Sequence, residues 1–177
     1  MARRHDPERR QRIIDAAIRI VGEGGITALT HRTVAAAADV PLGSTTYHFA
    51  SLDELLIAAL RQINQCFVAA LRAIDPRPTA ALPAILAKTM GEWLAADRTR
   101  VELEYELYLA ALRRPALRPV AAEWTHGVVD HLSQGTDRAT ARALVALLDG
   151  ICLQVLLSNV PYDEAYAREM LGRVLRS

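Results

Sequence analysis

Apolar residues recur every three or four positions along most of this chain, with polar residues between them, which is the pattern of amphipathic helices. Ile13, Ile14, Ala17, Ile18 and Val21 mark one face of a first helix. Asp6-Pro7 supplies its start, a capping carboxylate followed by a residue with a preset φ, and Gly24-Gly25 supplies its stop. Thr30 caps a short second helix running to about Ala38, Asp39 stands at the turn, and Pro41–Phe49 predicts a third helix with a first turn loosened by Gly43. Ser51-Leu52-Asp53-Glu54 is a capping box, in which Ser and Glu satisfy each other's backbone donors. It launches a long fourth helix with Leu55, Leu56, Ala59, Leu60, Ile63, Phe67, Ala70 and Leu71 on one side, ending near Ile74 at the linker Asp75-Pro76-Arg77-Pro78.

The second half continues in the same style. A helix over about Ala80–Ala96 turns Leu82, Ile85, Leu86, Met90, Trp93 and Leu94 inward. Val101–Leu112 alternates apolar residues with Glu102, Glu104 and Glu106 as a strand would. Its Glu, Leu and Ala content, its one-turn Arg98–Glu102 and Glu102–Glu106 spacings and the lack of a partner strand predict helix. Pro115 and Pro119 break the chain before helices over Val120–Leu132, Arg138–Leu157 and from Pro161 to the end. The expected fold is therefore all-α, with about nine helices.

Composition narrows the function classes. The chain has 177 residues, 51% hydrophobic and 23% charged, an ordinary globular balance that excludes disorder. The net charge of +1 is too small for a protein that coats nucleic acid, but its distribution is uneven. Arg3, Arg4, Arg9, Arg10 and Arg12 oppose only Asp6 and Glu8 in the first twelve residues, which suits a small footprint on DNA. Cys66 and Cys152 match no metal or redox spacing and are expected to be core thiols, with no metal and no cofactor. Asp15 and Arg19 interrupt the first apolar run, and Ala143–Leu157 is short for a bilayer, so a cytoplasmic protein without a membrane partner is expected.

The second and third helices have helix-turn-helix dimensions. A reading helix must be small and polar enough to enter a major groove. Ser44, Thr45, Thr46, Tyr47 and His48 offer hydroxyls, a methyl for thymine and a phenol that reaches phosphate. Thr30, His31 and Arg32 stand at the start of the helix before it, where backbone N–H groups also favour phosphate.

Residues Ile13–Leu60 resemble the N-terminal domain of the tetracycline-repressor family. The resemblance is carried by Ile14-Asp15-Ala16-Ala17, Gly24-Gly25, Leu29-Thr30-His31-Arg32-Thr33-Val34-Ala35 and Thr46-Tyr47-His48-Phe49 followed by Leu55-Leu56. It implies a three-helix DNA-binding domain over 1–50, a connecting helix over 51–74 and a ligand-binding and dimerisation domain over 75–177. It further implies that Thr30 and Arg32 contact phosphates or a base and that Leu42, Gly43, Ser44, Thr45 and Thr46 face the groove. Tyr47 and His48 would grip the backbone, while Phe49 plugs the third helix onto the first and fourth. Three positions depart from the family pattern: Asp39 replaces a corner Gly, Pro41 replaces the cap of the reading helix, and Leu52 replaces a Lys. The second implies a later helix start; the third removes a phosphate contact that Arg3, Arg4, Arg9 or Arg10 would have to replace.

In this family the C-terminal half encloses a small-molecule pocket. Trp93, Glu102, Tyr105, Glu106, Tyr108, Trp124 and His126 are the candidate lining residues here, set against ordinary core aromatics and solvated glutamates paired with Arg98 and Arg113. The last two helices are apolar on more than one face: Ala143, Leu144, Leu147, Leu148, Ile151 and Val155 form one stripe, Leu153, Leu156 and Leu157 flank it, and Tyr166, Met170 and Val174 continue it. The surplus points to a homodimer through these helices. The expectation is a ligand-responsive repressor that binds a near-palindromic double-stranded operator as a homodimer and answers to a small-molecule effector. A helical adaptor module without specific DNA binding and a small enzyme using Glu102, Glu106 or His126 are the rival readings.

Overall fold

In the computed structural model, residues 8–77, 79–158 and 160–176 are described, apart from the side chains of Cys66 and Phe67. Arg3, Arg4, Asp6 and Pro7 lie outside the described residues. Nine α-helices are present among them: α1 Arg9–Gly24, α2 His31–Ala37, α3 Leu42–His48, α4 Leu52–Arg72, α5 Leu82–Ala96, α6 Arg98–Ala110, α7 Arg118–Leu132, α8 Arg138–Ser158 and α9 Glu164–Arg176. Short 3-10 turns at Ile26–Ala28 and Pro115–Leu117 precede α2 and α7, and no strand occurs among the described residues.

The chain forms two compact units. One comprises the chain up to Ile63 together with Leu103–Ala121; the other comprises Asn64–Glu102 and Ala122–Ser177. Helices α4, α6 and α7 thus contribute residues to both. The division by chain order expected from sequence did not anticipate that Leu103–Ala121 joins the N-terminal helices.

In the first unit, Ile13, Ile14, Ala17 and Val21 of α1 bury with Val34, Phe49, Leu55, Leu56, Ala59 and Leu60. Leu103, Leu107, Ala111, Leu117 and Val120 complete that core. Two polar links fasten the Leu103–Ala121 segment to it. Glu106 Oε1 accepts a hydrogen bond from the Ile26 backbone N–H at 3.0 Å, and Arg114 pairs with Asp53 at 2.6 Å. Gln62 of α4 donates to Asp15 of α1 at 2.6 Å and accepts from Gln11 at 2.6 Å.

In the second unit, α5 and α8 both pack against α9. Along α8 the buried stripe is Ala141, Leu144, Val145, Leu148, Ile151, Cys152 and Val155. On α9 the buried residues are Ala167, Leu171 and Gly172, and the Tyr166, Met170 and Val174 stripe lies beside them. A methyl group added at Gly172 would stand 4.0 Å from Pro83 on α5, an ordinary contact, so this face of α9 is the one that packs on α5. The α7–α8 turn is tied to the chain after α4, where Thr79 donates to Gly135 O at 2.7 Å and His131 donates to Ile74 O at 2.9 Å. Arg98 bridges Glu102 at 2.9 Å and the Leu156 carbonyl at 3.0 Å, so it holds the open C-terminal end of α8.

Both α4 and α8 reach 21 residues and are apolar enough to match a bilayer by length and composition. The short-run criterion applied to Ala143–Leu157 therefore does not by itself exclude a membrane. In the second unit α8 packs against α9.

Candidate nucleic-acid interface

Helix α2 is set by its first residue. The Thr30 side chain accepts from the Thr33 N–H at 3.0 Å while the Thr33 hydroxyl receives the Thr30 N–H at 2.9 Å, a reciprocal box built from two threonines. This leaves Arg32 exposed beside it and His31 half-buried. Arg19 of α1 donates to Ala37 O at 2.9 Å, closing the other end of α2.

The corner between α2 and α3 turns on Asp39, whose φ of 51° lies in the left-handed region. Asp enters that region at lower cost than most side chains because its short carboxyl can bond locally, so it substitutes for glycine here. The delayed start expected for α3 does not occur. Pro41 caps it, with the Ser44 N–H bonded to Pro41 O at 2.8 Å, and the helix begins at Leu42. Proline has no N–H to satisfy and its fixed φ suits a position at the helix edge, so neither Pro41 nor Gly43 costs the first turn.

Helical period then sorts the candidate residues of α3. Leu42, Gly43, Thr46 and Tyr47 share an exposed face, with Tyr47 83% exposed. A methyl group added at Gly43 would meet nothing within 4 Å, so the backbone there is open to an approaching partner. Ser44 and His48 flank this face, half-buried, and the Tyr47 and His48 rings meet edge to face at 5.1 Å. Thr45 and Phe49, one turn apart, point the other way. Thr45 is fully buried and its hydroxyl donates to Leu42 O at 2.7 Å, and Phe49 is buried in the core. Thr45 is accordingly a packing residue of α3, which corrects its expected place in the groove. Its sequence neighbours hid this, because a run of three hydroxyl-bearing residues reads as uniformly polar.

Position 52 carries no charge to an outward face: Leu52 is half-buried against the apolar core. Helix α4 instead begins with Ser51 accepting the Glu54 N–H at 3.1 Å while Glu54 receives the Ala50 N–H at 2.8 Å. The capping box expected from sequence forms, with the Glu shifted by one residue to the donor before Ser51.

The candidate ligand residues divide between the two units. Trp93 and Trp124 are half-buried in the second unit, where Glu102 and His126 are exposed. Tyr105 is buried and Tyr108 half-buried in the first unit. Glu102 is paired with Arg98, and Glu106 is the acceptor for Ile26. A residue not among the candidates, Glu104, is only 7% exposed. Glu102 and Glu106 are one turn apart and share the solvent face, whereas Glu104 lies about 200° round the helix and faces inward. The helical period, once accepted for this segment, was sufficient to find it. An open groove of about 710 Å³ runs along α5 and α9 between Pro83, Asp163, Tyr166, Glu169 and Arg176; none of the candidate ligand residues lines it.

Comparison with known proteins agrees with this geometry. Residues 13–59 match the profile of bacterial regulatory proteins of the tetR family, and residues 77–177 match the tetracyclin repressor-like C-terminal domain. The crystal structure of the multidrug-binding protein EbrR complexed with imidazole is 68% identical, covers 96% of each chain and superposes with a TM-score of 0.89. EbrR has also been solved complexed with ethidium, proflavin and malachite green. SCO1917, a TetR-family member from Streptomyces coelicolor A3, is 69% identical over 95% of this chain and 98% of its own, with a TM-score of 0.87. The transcriptional regulator BetI of Burkholderia mallei is 28% identical, covering 92% of this chain and 89% of its own.

Proposed function

The chain belongs to the tetracycline-repressor family of transcriptional regulators, and on that premise we propose that it is a repressor released from its operator by delocalised aromatic cations. It is a DNA-binding, ligand-responsive regulator, and its family binds operators as dimers. The proposal adds the reading residues, the dimer surface, the ligand class and the cytoplasm as the place of action.

The outward face of α3 carries the DNA assignment. Leu42, Gly43, Thr46 and Tyr47 present a methyl-rich, hydroxyl-bearing surface on a seven-residue helix whose opposite side is locked by Thr45 and Phe49. Such a helix inserts without repacking. Thr30 and Arg32 reach phosphate from α2, and Ser44 and His48 flank the groove. Selection from random duplex DNA at physiological salt should enrich a near-palindrome with half-sites about one helical turn apart. On that site Tyr47→Ala should bind about tenfold more weakly or worse, while Thr45→Val should bind as the parent does. Equal losses in the two variants would place the reading face elsewhere.

For the dimer, the support is apolar surface left uncovered at the end of α8 and the start of α9. Leu157 is 82% exposed, and Val160 and Tyr166 are exposed as well. A second copy related by a two-fold axis would cover the same patch on both chains.

For the ligand, the support is chemical. Ethidium, proflavin and malachite green are flat or propeller-shaped aromatic cations, and all three occur in complexes of a protein 68% identical to this one. Such cations prefer aromatic faces, and the aromatic candidates are Tyr105 and Tyr108 in the first unit and Trp93 and Trp124 in the second, which also holds His126. Glu104 offers the carboxylate withdrawn from water, where a charge attracts far more strongly than at the surface. Moving a two-state regulator from about 1:99 to 99:1 requires roughly 5.5 kcal/mol of differential affinity, so the cation must contact groups that differ between the two states. Glu104→Gln should weaken ethidium binding by about tenfold and leave operator affinity without ligand within about twofold. Unchanged ethidium affinity would remove Glu104 from the site.

A further inference from the structure

The first turn of α1 carries a cation poised for phosphate. The Arg10 guanidinium carbon lies 5.0 Å from the centroid of the Phe49 ring, the residue that ends α3. Phe49 is buried, so its ring is a fixed platform, and Arg10 itself is exposed above it. Among the described residues no carboxylate pairs with Arg10. Other arginines of the same unit are committed: Arg19 to Ala37 O, Arg114 to Asp53 and Arg118 to Ala111 O.

The ring orders Arg10 without neutralising it. A cation held by an aromatic face keeps its whole charge and its N–H donors for another acceptor, whereas one held by a carboxylate does not. The platform also fixes the place of that charge. Phe49 directly follows Tyr47 and His48, so Arg10 sits beside the C-terminal end of the reading helix. The neighbouring position on α4 has no charge to offer, since Leu52 is turned into the core.

We propose that Arg10 is a phosphate-contacting residue for duplex DNA, replacing in this chain the charge absent at position 52. The inference rests on the DNA-reading assignment of α3 and adds to it a contact that is independent of base sequence. A dimer would present two such contacts, one per half-site.

Arg10→Met keeps an apolar stem over the Phe49 ring and removes the charge, and Arg10→Lys keeps the charge. Binding of each to the selected operator and to an unrelated duplex is measured by anisotropy from 50 to 300 mM KCl. Arg10→Met should bind both duplexes about three- to tenfold more weakly. The slope of log K against log [KCl] should become shallower by about two, one for each protomer, with sequence preference retained. Arg10→Lys should recover most of the slope. An Arg10→Met protein with the parent's slope and affinity overturns the contact. So does a loss confined to the operator, which would mark Arg10 as a positioning residue for α3. Parent protein without salt-dependent binding to either duplex overturns the DNA-reading assignment, and the contact with it.

Discussion

Phe49→Ala should abolish operator binding at 37 °C by unfolding the helix-turn-helix rather than by removing a contact with DNA. Phe49 is 2% exposed and is the largest of the fully buried side chains. It occupies the end of α3, packs into the core shared by α1 and α4, and carries Arg10 on its outer face. Truncating a buried Phe to Ala costs about 3–5 kcal/mol, part lost transfer energy and part cavity. Helices α2 and α3 have seven residues each, below the length at which a helix persists alone, so they depend on this packing. Hydrogen exchange should show amides of α2 and α3 losing protection by a factor of about a hundred or more. Phe49→Leu, which keeps most of the volume, should retain binding. Protection of α2 and α3 unchanged in Phe49→Ala would mean that the ring is not what holds the reading helix.

Gly135→Ala should produce the largest loss of stability in the second unit. A methyl group there would be driven into the backbone carbonyl of Pro76, and backbone cannot swing aside as a long side chain can. The close approach is held from both sides by Thr79 to Gly135 O at 2.7 Å and His131 to Ile74 O at 2.9 Å. Admitting the methyl group therefore means parting the α7–α8 turn from the linker and giving up at least the first of these bonds. The expected cost is about 3 kcal/mol, which lowers Tm by roughly 6–12 °C for a chain of this size. Gly127→Ala on α7 is the control: its methyl group would meet nothing within 4 Å, so only helix propensity changes. That substitution should stabilise by about 0.5–1 kcal/mol. Similar melting temperatures for the two variants would show that the Pro76 approach is not maintained in solution.

Most helix boundaries were legible because their signals are local. Thr30, the Ser51 and Glu54 box and the Gly25 stop all act within four residues, and a hydrogen bond that closes within one turn is written in adjacent letters. Apolar periodicity likewise identified Ile13, Ile14, Ala17 and Val21 as one face, since a helix has only one rotation that buries them all. The family resemblance of Ile13–Leu60 pointed to the DNA-reading segment, but within α3 it placed Thr45 in the groove with Ser44 and Thr46, where the structure buries it.

The remaining assignments needed distance in sequence to collapse into distance in space. Thr45 and Thr46 are chemically alike, and only the packing of α3 through Phe49 made one buried and the other exposed. Arg10 and Phe49 are 39 positions apart and meet across two helices. Glu104 alternates with Glu102 and Glu106 in the chain, but the helix turns it to the opposite face, where it is buried. Leu103–Ala121 joined the first unit through Leu107, Leu117, Glu106 and Arg114, contacts that nothing near them in the chain announces. The sequence by itself determined most helix boundaries, though not the starts of α3, α6 and α9, and which segment resembles a DNA reader, because those depend on hydrogen bonds and propensities of neighbours. Which side chains of that reader face outward, and which residues share its core, was decided only by tertiary packing, because burial is a property of the surfaces that meet.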